Sequence, residues 1–266
     1  MCAIQKGPIR IKGQIGDLTF FTKDGKGFVR ESTSLDKSKI MNDPAFKRTR
    51  ENMSEFGGSA MVGKSLRTGL AELIKFMGGR YISSRVTGLF RKLVELGGGS
   101  RGKRSFEIVL NQEIIEGFEF TPDASFSAVF NAPYTIAANV DRNEVTITIP
   151  VFNTDNYITP PQGATHCRVV NALTVLSDFT YINSVKHYKA VNPGINGKHN
   201  ITYSPYTLLG GNSPGILSIV SAIPGAPIIP LTAGVIACIG IEFYQEINGD
   251  FYLLAAKNAM RLEKVF

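Results

Sequence analysis

The spacing of hydrophobic and polar positions changes once along the chain, at the glycine run 97–99. In the hundred or so residues before the run, apolar residues mostly recur every three or four positions, as in amphipathic helices. After it they alternate, as in β-strands. The pattern predicts an α+β protein in which a β-hairpin and three amphipathic helices (residues 1–104) precede an antiparallel β-sandwich (residues 105–266), immunoglobulin-like or jelly-roll.

The first element is a predicted hairpin. Residues 9–12 and 18–22 have the composition of strands, Asp24-Gly25 supplies the positive φ of a tight turn, and residues 27–30 return antiparallel. A hairpin of this size is not stable in water on its own. We therefore expect it to lie on the helices that follow or on another subunit.

Three helices are predicted next. Asp43 as N-cap and Pro44 at the first helical position start a helix that Gly57-Gly58 should end. Its narrow apolar face is formed by Phe46, Thr49, Met53 and Phe56. Helices over residues 59–77 and 84–96 follow, each with basic residues opposite its apolar face.

Beyond residue 104 short β-rich segments alternate with turn residues. The predicted strands cover residues 105–110, 117–120, 125–130, 134–140, 144–149, 168–176, 200–203, 216–222, 235–246, 251–255 and 260–265. Asn248-Gly249 is a second hairpin signal. The weakly polar stretch 215–243 contains three prolines, so we interpret it as two buried strands and a loop rather than a membrane span.

Charge follows the same division. Residues 1–104 contain 21 Lys and Arg and 9 Asp and Glu, whereas residues 105–266 contain 8 and 13. The candidate interface or polyanion-binding residues are Lys47, Arg48, Arg50, Lys64, Arg67, Lys75, Arg85, Arg91, Lys92, Arg101, Lys103 and Arg104. They could pair with the acidic part of a neighbouring copy, bind nucleic-acid phosphates, or form a solvated face with salt bridges to Glu51 and Glu55.

Residues 58–65 (GSAMVGKS) match the phosphate-binding loop pattern G-x-x-x-x-G-K-S. That loop requires a buried strand before the glycine turn, and here the preceding residues 48–56 form a polar helix. No apolar strand ending in Asp follows to hold magnesium. Helix packing through small residues is the favoured interpretation, and no cofactor is predicted.

Catalytic and metal sites are not indicated. His166, His187 and His199 have no carboxylate or cysteine at ligand spacing, and Cys2, Cys167 and Cys238 form neither a disulfide framework nor a zinc pattern. We expect a protein that is not an enzyme. The amino terminus lacks an apolar signal region, which predicts cytoplasmic synthesis, with release inside a particle or filament as one further fate.

The chain resembles a family of uncharacterised Bacteroidota proteins. The likeness is carried by residues 7–21 (GPIRIKGQIGDLTFF), 43–52 (DPAFKRTREN), 55–57 (EFG) and 240–249 (GIEFYQEING). The resemblance implies no established activity, fold or catalytic residue.

Together these features predict a self-assembling structural subunit, in which a β-sandwich body carries a basic arm that docks on other copies. Two alternatives remain: a nucleic-acid-associated, capsid-like coat, and a surface adhesin or carbohydrate-binding module. The absence of tryptophan, which commonly stacks on sugars, speaks against the last.

Overall fold

The computed structural model describes residues 2–7, 9, 11–32, 37–122 and 124–266. Two compact units divide the chain, Met1–Arg50 and Glu51–Phe266. This division lies inside the helical region, whereas the sequence pattern places its boundary at residue 104. The two boundaries differ because helices within residues 51–104 share one hydrophobic core with the β-strands.

The first unit contains a four-stranded antiparallel sheet. Its strands are β1 (Cys2–Ile4), β2 (Gly13–Ile15), β3 (Leu18–Lys23) and β4 (Lys26–Glu31), in the order β1-β4-β3-β2. The predicted Asp24-Gly25 turn is confirmed, with φ of 49° and 73°. The predicted strand at residues 9–12 is not: Ile9, Ile11 and Lys12 lie outside the strands, and Arg10 lies outside the described residues.

The helices are α1 (Lys37–Asn42), α2 (Lys47–Gly69), α3 (Ala71–Met77), α4 (Ile82–Leu93), α5 (Gln112–Ile115), α6 (Phe126–Val129) and α7 (Thr154–Tyr157), with a 3-10 turn at Pro44–Phe46. Asp43 caps that turn as predicted, because its side chain accepts a hydrogen bond from the Ala45 amide at 2.9 Å. Helix α2 starts in the first unit and continues into the second.

Helix α2 corrects one prediction, because it continues through Gly57-Gly58 instead of ending there. Its buried face carries Gly58 and Gly63 where other elements approach closely. A Cβ added at Gly58 would lie 2.6 Å from a ring carbon of Tyr188, and one at Gly63 would lie 3.1 Å from Val86. Helix packing through small residues is thus confirmed.

The predicted apolar face of the first helix is also wrong in part. Met53 and Phe56 are 55% and 59% exposed. The buried residues of α2 instead include Glu55, Val62 and Leu66.

The remaining strands belong to the second unit. They are β5 (Thr135–Ala138), β6 (Glu144–Ile149), β7 (His166–Ser177), β8 (Phe179–Ile182), β9 (His187–Ala190), β10 (His199–Tyr203), β11 (Thr207–Leu208), β12 (Leu217–Ala222), β13 (Ala233–Ile247), β14 (Asp250–Leu253) and β15 (Ala259–Val265). A six-stranded sheet has the order β10-β7-β13-β14, with β11 on β7 and β15 on β13. A three-stranded sheet has the order β12-β6-β5, and β8 pairs with β9.

Three predicted strands near the start of this region are wrong. Residues 105–110 and 117–120 form turns with single bridges at Phe106 and Glu119, and residues 125–130 contain α6. The other predicted strands are present within a few residues of their expected bounds. The stretch 215–243 forms β12, a proline-containing loop and β13, as predicted.

The long strands β7 and β13 are buried almost throughout because both faces of their sheet are covered. On one face, Leu66 of α2, Phe90 of α4 and Ile236 of β13 belong to one hydrophobic core. On the other face, side chains of β6 and β12 pack against β7 and β13. The protein is therefore α+β, with helices α2–α4 covering one face of the antiparallel sheet of their own chain.

Candidate functional site

Two of the predicted site residues, Arg91 and Arg104, lie around one buried carboxylate, that of Glu55. Glu55, on α2, accepts hydrogen bonds from Arg104 at 2.8 and 2.9 Å and from the Gly102 amide at 2.7 Å. Arg91, on α4, lies 3.2 Å from the same carboxylate. Burial by itself raises the pKa of Glu55, but the Arg104 and Gly102 hydrogen bonds and the charge of Arg91 outweigh it and leave the pKa lowered.

This arrangement fastens the glycine-rich segment 97–104 to α2. The Ser54 hydroxyl donates to the Gly102 carbonyl at 2.6 Å, and the Ser105 amide donates to the Gly98 carbonyl at 2.8 Å. Gly102 has a φ of 89°, and a Cβ there would lie 3.0 Å from Glu51. The segment therefore packs against the side of α2, and Arg101 and Arg104 attach it there through Asn52 and Glu55.

Five of the other ten candidate cations also donate hydrogen bonds to groups of their own chain. Arg50 donates to the carbonyls of Ile40 and Asp43, Arg67 to that of Ser83, Arg85 to those of Glu119 and Phe120, Arg101 to the Asn52 side chain, and Lys103 to the Asn183 side chain. Such contacts fit the salt-bridge and packing alternative better than a free polyanion-binding face.

The remaining five candidates are exposed on three helices. Lys47, Arg48 and Lys64 lie on α2, Lys75 on α3 and Lys92 on α4. Arg48 has an interaction within its chain, as does Glu51. Of these five, Lys64 lines a shallow cavity together with side chains from another element.

The segment that matches a phosphate-binding loop is entirely helical. Residues 58–65 lie inside α2, so their backbone amides face along the helix axis instead of converging on a turn. Lys64 and Ser65 lie next to the loop that contains Asn196, and the Ser65 hydroxyl accepts a hydrogen bond from the Asn196 side chain. The backbone cradle of a phosphate-binding loop is therefore not formed here.

The sheet of the first unit has apolar side chains on both faces. Cross-strand register places Ile15, Leu18, Phe20 and Val29 on one face and Ile4, Phe21 and Phe28 on the other. The rings of Phe21 and Phe28 stack at 5.6 Å, with Arg30 over Phe21. Among residues 2–50 whose burial is described, Gly27 is the one buried residue.

A second charged cluster lies on the six-stranded sheet, and its residues were not among the predicted site residues. Glu242 of β13 is 3% exposed and accepts a hydrogen bond from the Tyr244 hydroxyl at 2.5 Å. Arg168 lies over the rings of Tyr203 and Tyr206, 4.5 and 4.7 Å from their centroids. Burial raises the pKa of Glu242, while Tyr244 and Arg168 partly offset it. A single acid inside the otherwise apolar run of residues 233–244 could have indicated a buried carboxylate.

The histidines show no shared site. His166 lies 3.7 Å from Glu246, and the Nδ1 atoms of His187 and His199 lie 2.9 Å from backbone carbonyls two residues earlier in the chain. Within the described residues no group of three or more His, Cys, Asp or Glu side chains could hold a metal ion.

Cys167 and Cys238 are buried free thiols. Burial raises the pKa of Cys167 to about 12 and also raises that of Cys238. Both are therefore poor nucleophiles. Among the described helices, none is both long enough and apolar enough to cross a membrane.

Comparison of the chain with protein-family models, with curated proteins and with solved structures finds no match. The resemblance to a Bacteroidota family stays a prediction.

Proposed function

We propose that this protein is a self-assembling structural subunit in which residues 2–50 dock on a neighbouring copy. The observation that carries the proposal is the exposure of the apolar side chains of the first unit. Ile4, Ile15 and Leu18 are 55%, 58% and 44% exposed. Because the helices α2–α4 cover the sheet of their own chain, the docking role falls to the first unit alone.

A sheet of this kind needs a covering layer. Three or more strands become independently stable when one hydrophobic face is buried, and small units without a core are marginal. Here apolar residues occupy both faces, and neither face reaches the burial of a protein interior. Contact with another molecule would supply the missing burial.

Charge favours a second copy as that molecule. Residues 1–50 contain 11 Lys and Arg and 5 Asp and Glu, a net charge of +6, whereas residues 105–266 carry −5. The exposed Lys23, Lys26 and Arg30 border the Phe21–Phe28 pair, so a partly acidic, partly apolar surface is the complement. Such complementarity directs register and association rate more than affinity.

The second unit would form the body of the assembly. We propose that its two main sheets constitute an antiparallel β-sandwich of the immunoglobulin or jelly-roll kind, with a helical layer on the larger sheet. Support comes from the core that β6 and β12 share with β7 and β13.

Sedimentation velocity over a concentration series, at low and high salt, tests the proposal. Ile4→Glu and Leu18→Glu place a charge on opposite faces of the sheet, and Ser84→Glu is the control, an exposed polar position on α4 outside the first unit. Burying one leucine side chain is worth about 1.5–3 kcal/mol, so we expect at least one of the first two variants to weaken assembly more than tenfold. The control should assemble like the wild type.

A wild-type protein that stays monomeric at high concentration and low salt would contradict the proposal. Assembly that requires co-purifying nucleic acid, seen as a raised ratio of absorbance at 260 to 280 nm that falls with salt, would favour the coat alternative instead.

A further inference from the structure

A shallow cavity of about 160 Å³ lies between α2 and the loop that precedes β10. It is lined by Lys64, Ser65 and Thr68 of the helix and by Asn196 and Gly197 of the loop. The volume corresponds to several water-sized groups. It therefore suits a small polar group, either a free ion or the end of a larger molecule that remains in solvent.

Hydrogen bonds hold the polar groups of the cavity in a donor-rich arrangement. The Asn196 side-chain oxygen Oδ1 accepts a hydrogen bond from the Ser177 backbone amide at 3.0 Å, which fixes the orientation of the Asn196 side-chain amide. The Asn196 Nδ2 donates one hydrogen to Ser65 Oγ at 3.1 Å and keeps a second hydrogen.

The hydroxyls add further donors. Ser65 donates to the Met61 carbonyl at 3.4 Å, a long bond that is easily exchanged for a better acceptor. Thr68 donates to the Lys64 carbonyl at 2.9 Å. Ser and Thr hydroxyls rotate to suit their partner, so each can exchange its backbone carbonyl for a ligand oxygen.

The charge of the cavity is positive. The Lys64 side chain is exposed and its ammonium group forms no hydrogen bond or ion pair within the described part of the chain, and no carboxylate is among the five lining residues. An ammonium group next to hydroxyl and amide donors is the chemistry that recognises an oxyanion.

We propose that this cavity binds a phosphoryl-type oxyanion, with Lys64 supplying the charge and Asn196, Ser65 and Thr68 the hydrogen bonds. Binding differs from that in a phosphate-binding loop, because side chains of one helix turn and of Asn196 contact the anion in place of converging backbone amides. The anion can be free inorganic phosphate or a phosphate of a larger molecule such as a nucleic-acid strand. This site does not depend on the self-assembly proposed above.

Isothermal titration with inorganic phosphate, at ionic strength held constant with chloride, tests the site. The variant is Lys64→Gln, and the matched control is Lys75→Gln, an exposed lysine on α3 that is outside the cavity. We expect saturable binding by the wild type and the control, and at least tenfold weaker binding by Lys64→Gln. Far-ultraviolet circular dichroism checks that both variants fold.

A second arm separates the two sources of the anion. A short single-stranded oligonucleotide that binds more tightly than phosphate, and loses that affinity in Lys64→Gln, identifies a polymer phosphate. Lys64-dependent binding of inorganic phosphate alone identifies the free ion. If neither ligand binds, or if Lys64→Gln binds as well as Lys75→Gln, the proposal is overturned.

Discussion

The adjacent glycines of helix α2 should respond oppositely to the same substitution. Gly57 is exposed, and a Cβ added there meets no atom within 4 Å, whereas a Cβ at Gly58 would lie 2.6 Å from Tyr188 and 2.8 Å from Phe106. Replacing a glycine inside a helix by alanine favours folding by about 1 kcal/mol. Gly57→Ala should therefore raise the free energy of unfolding by roughly 0.5–1 kcal/mol.

The same gain at Gly58 is opposed by overpacking. Forcing a methyl group into a packed core costs about 1–3 kcal/mol, because the two rings must leave their rotamers or the helix must move. The two variants have the same helix propensity, so Gly58→Ala should be less stable than Gly57→Ala by about that cost. For a chain of this length, each kcal/mol corresponds to roughly 2–4 °C in melting temperature.

Urea unfolding followed by circular dichroism at 222 nm measures the difference, since the chain contains no tryptophan for fluorescence. All samples are compared at one protein concentration, because association would shift apparent stability. If the helix ended at these glycines, Gly57→Ala would be destabilising. That result, or equal stability of the two variants, would refute the close packing of α2 described above.

Two further predictions concern buried acids. Glu55→Gln should lower the free energy of unfolding by about 3 kcal/mol, because it leaves partly buried arginine donors without their carboxylate, whereas Glu95→Gln, at an exposed ion pair, should cost well under 1 kcal/mol. The lowered pKa of Glu55 means that the advantage of the wild type is present above the ordinary pKa of 4.5 and disappears as pH falls through the folded-state value; an advantage independent of pH in acid unfolding would contradict this. Glu242 has a raised pKa, so its contribution is favourable below 4.5 and is lost as pH rises through the folded-state value. Glu242→Gln should therefore gain stability relative to the wild type as pH increases, and a constant difference across a pH series of urea titrations would count against it.

Strands with clear local signals could be predicted from the sequence. The alternation of Val145, Ile147 and Ile149 gives β6, and all three are buried. Asn248-Gly249 gives the turn between β13 and β14, with φ of 55° and 91°. In these places the local preference and the tertiary fold agree, so the pattern is sufficient.

Errors arose where distant residues decide the structure. Helix α2 continues through Gly58, and the rings of Tyr188 and Phe106, far away in sequence, occupy the space that a side chain there would need. Residues 125–130 contain a short helix although they are rich in apolar residues; Ser125 caps it by accepting from the Ala128 amide at 3.3 Å, a signal that the strand prediction overlooked.

The candidate site shows the same limit. One of the three alternatives from the sequence was that Glu55 pairs with basic neighbours on a solvated helix face, but the carboxylate is buried and binds Arg91 and Arg104 instead. Met53 and Phe56, which the spacing assigns to the core, are exposed. The sequence shows the periodicity of a helix but not which side of it the rest of the chain will cover.

The glycine-rich segment 97–104 affects how the gene can be divided for expression. With its run of glycines it looks like a natural place to cut the chain or insert a tag, yet Glu55 and Ser54 hold it against α2. A fragment starting at residue 105 would lack helices α2–α4 and would present the bare apolar face of β7 and β13 to water. Aggregation of such a fragment would reflect the missing layer and would say nothing about the solubility of the intact protein.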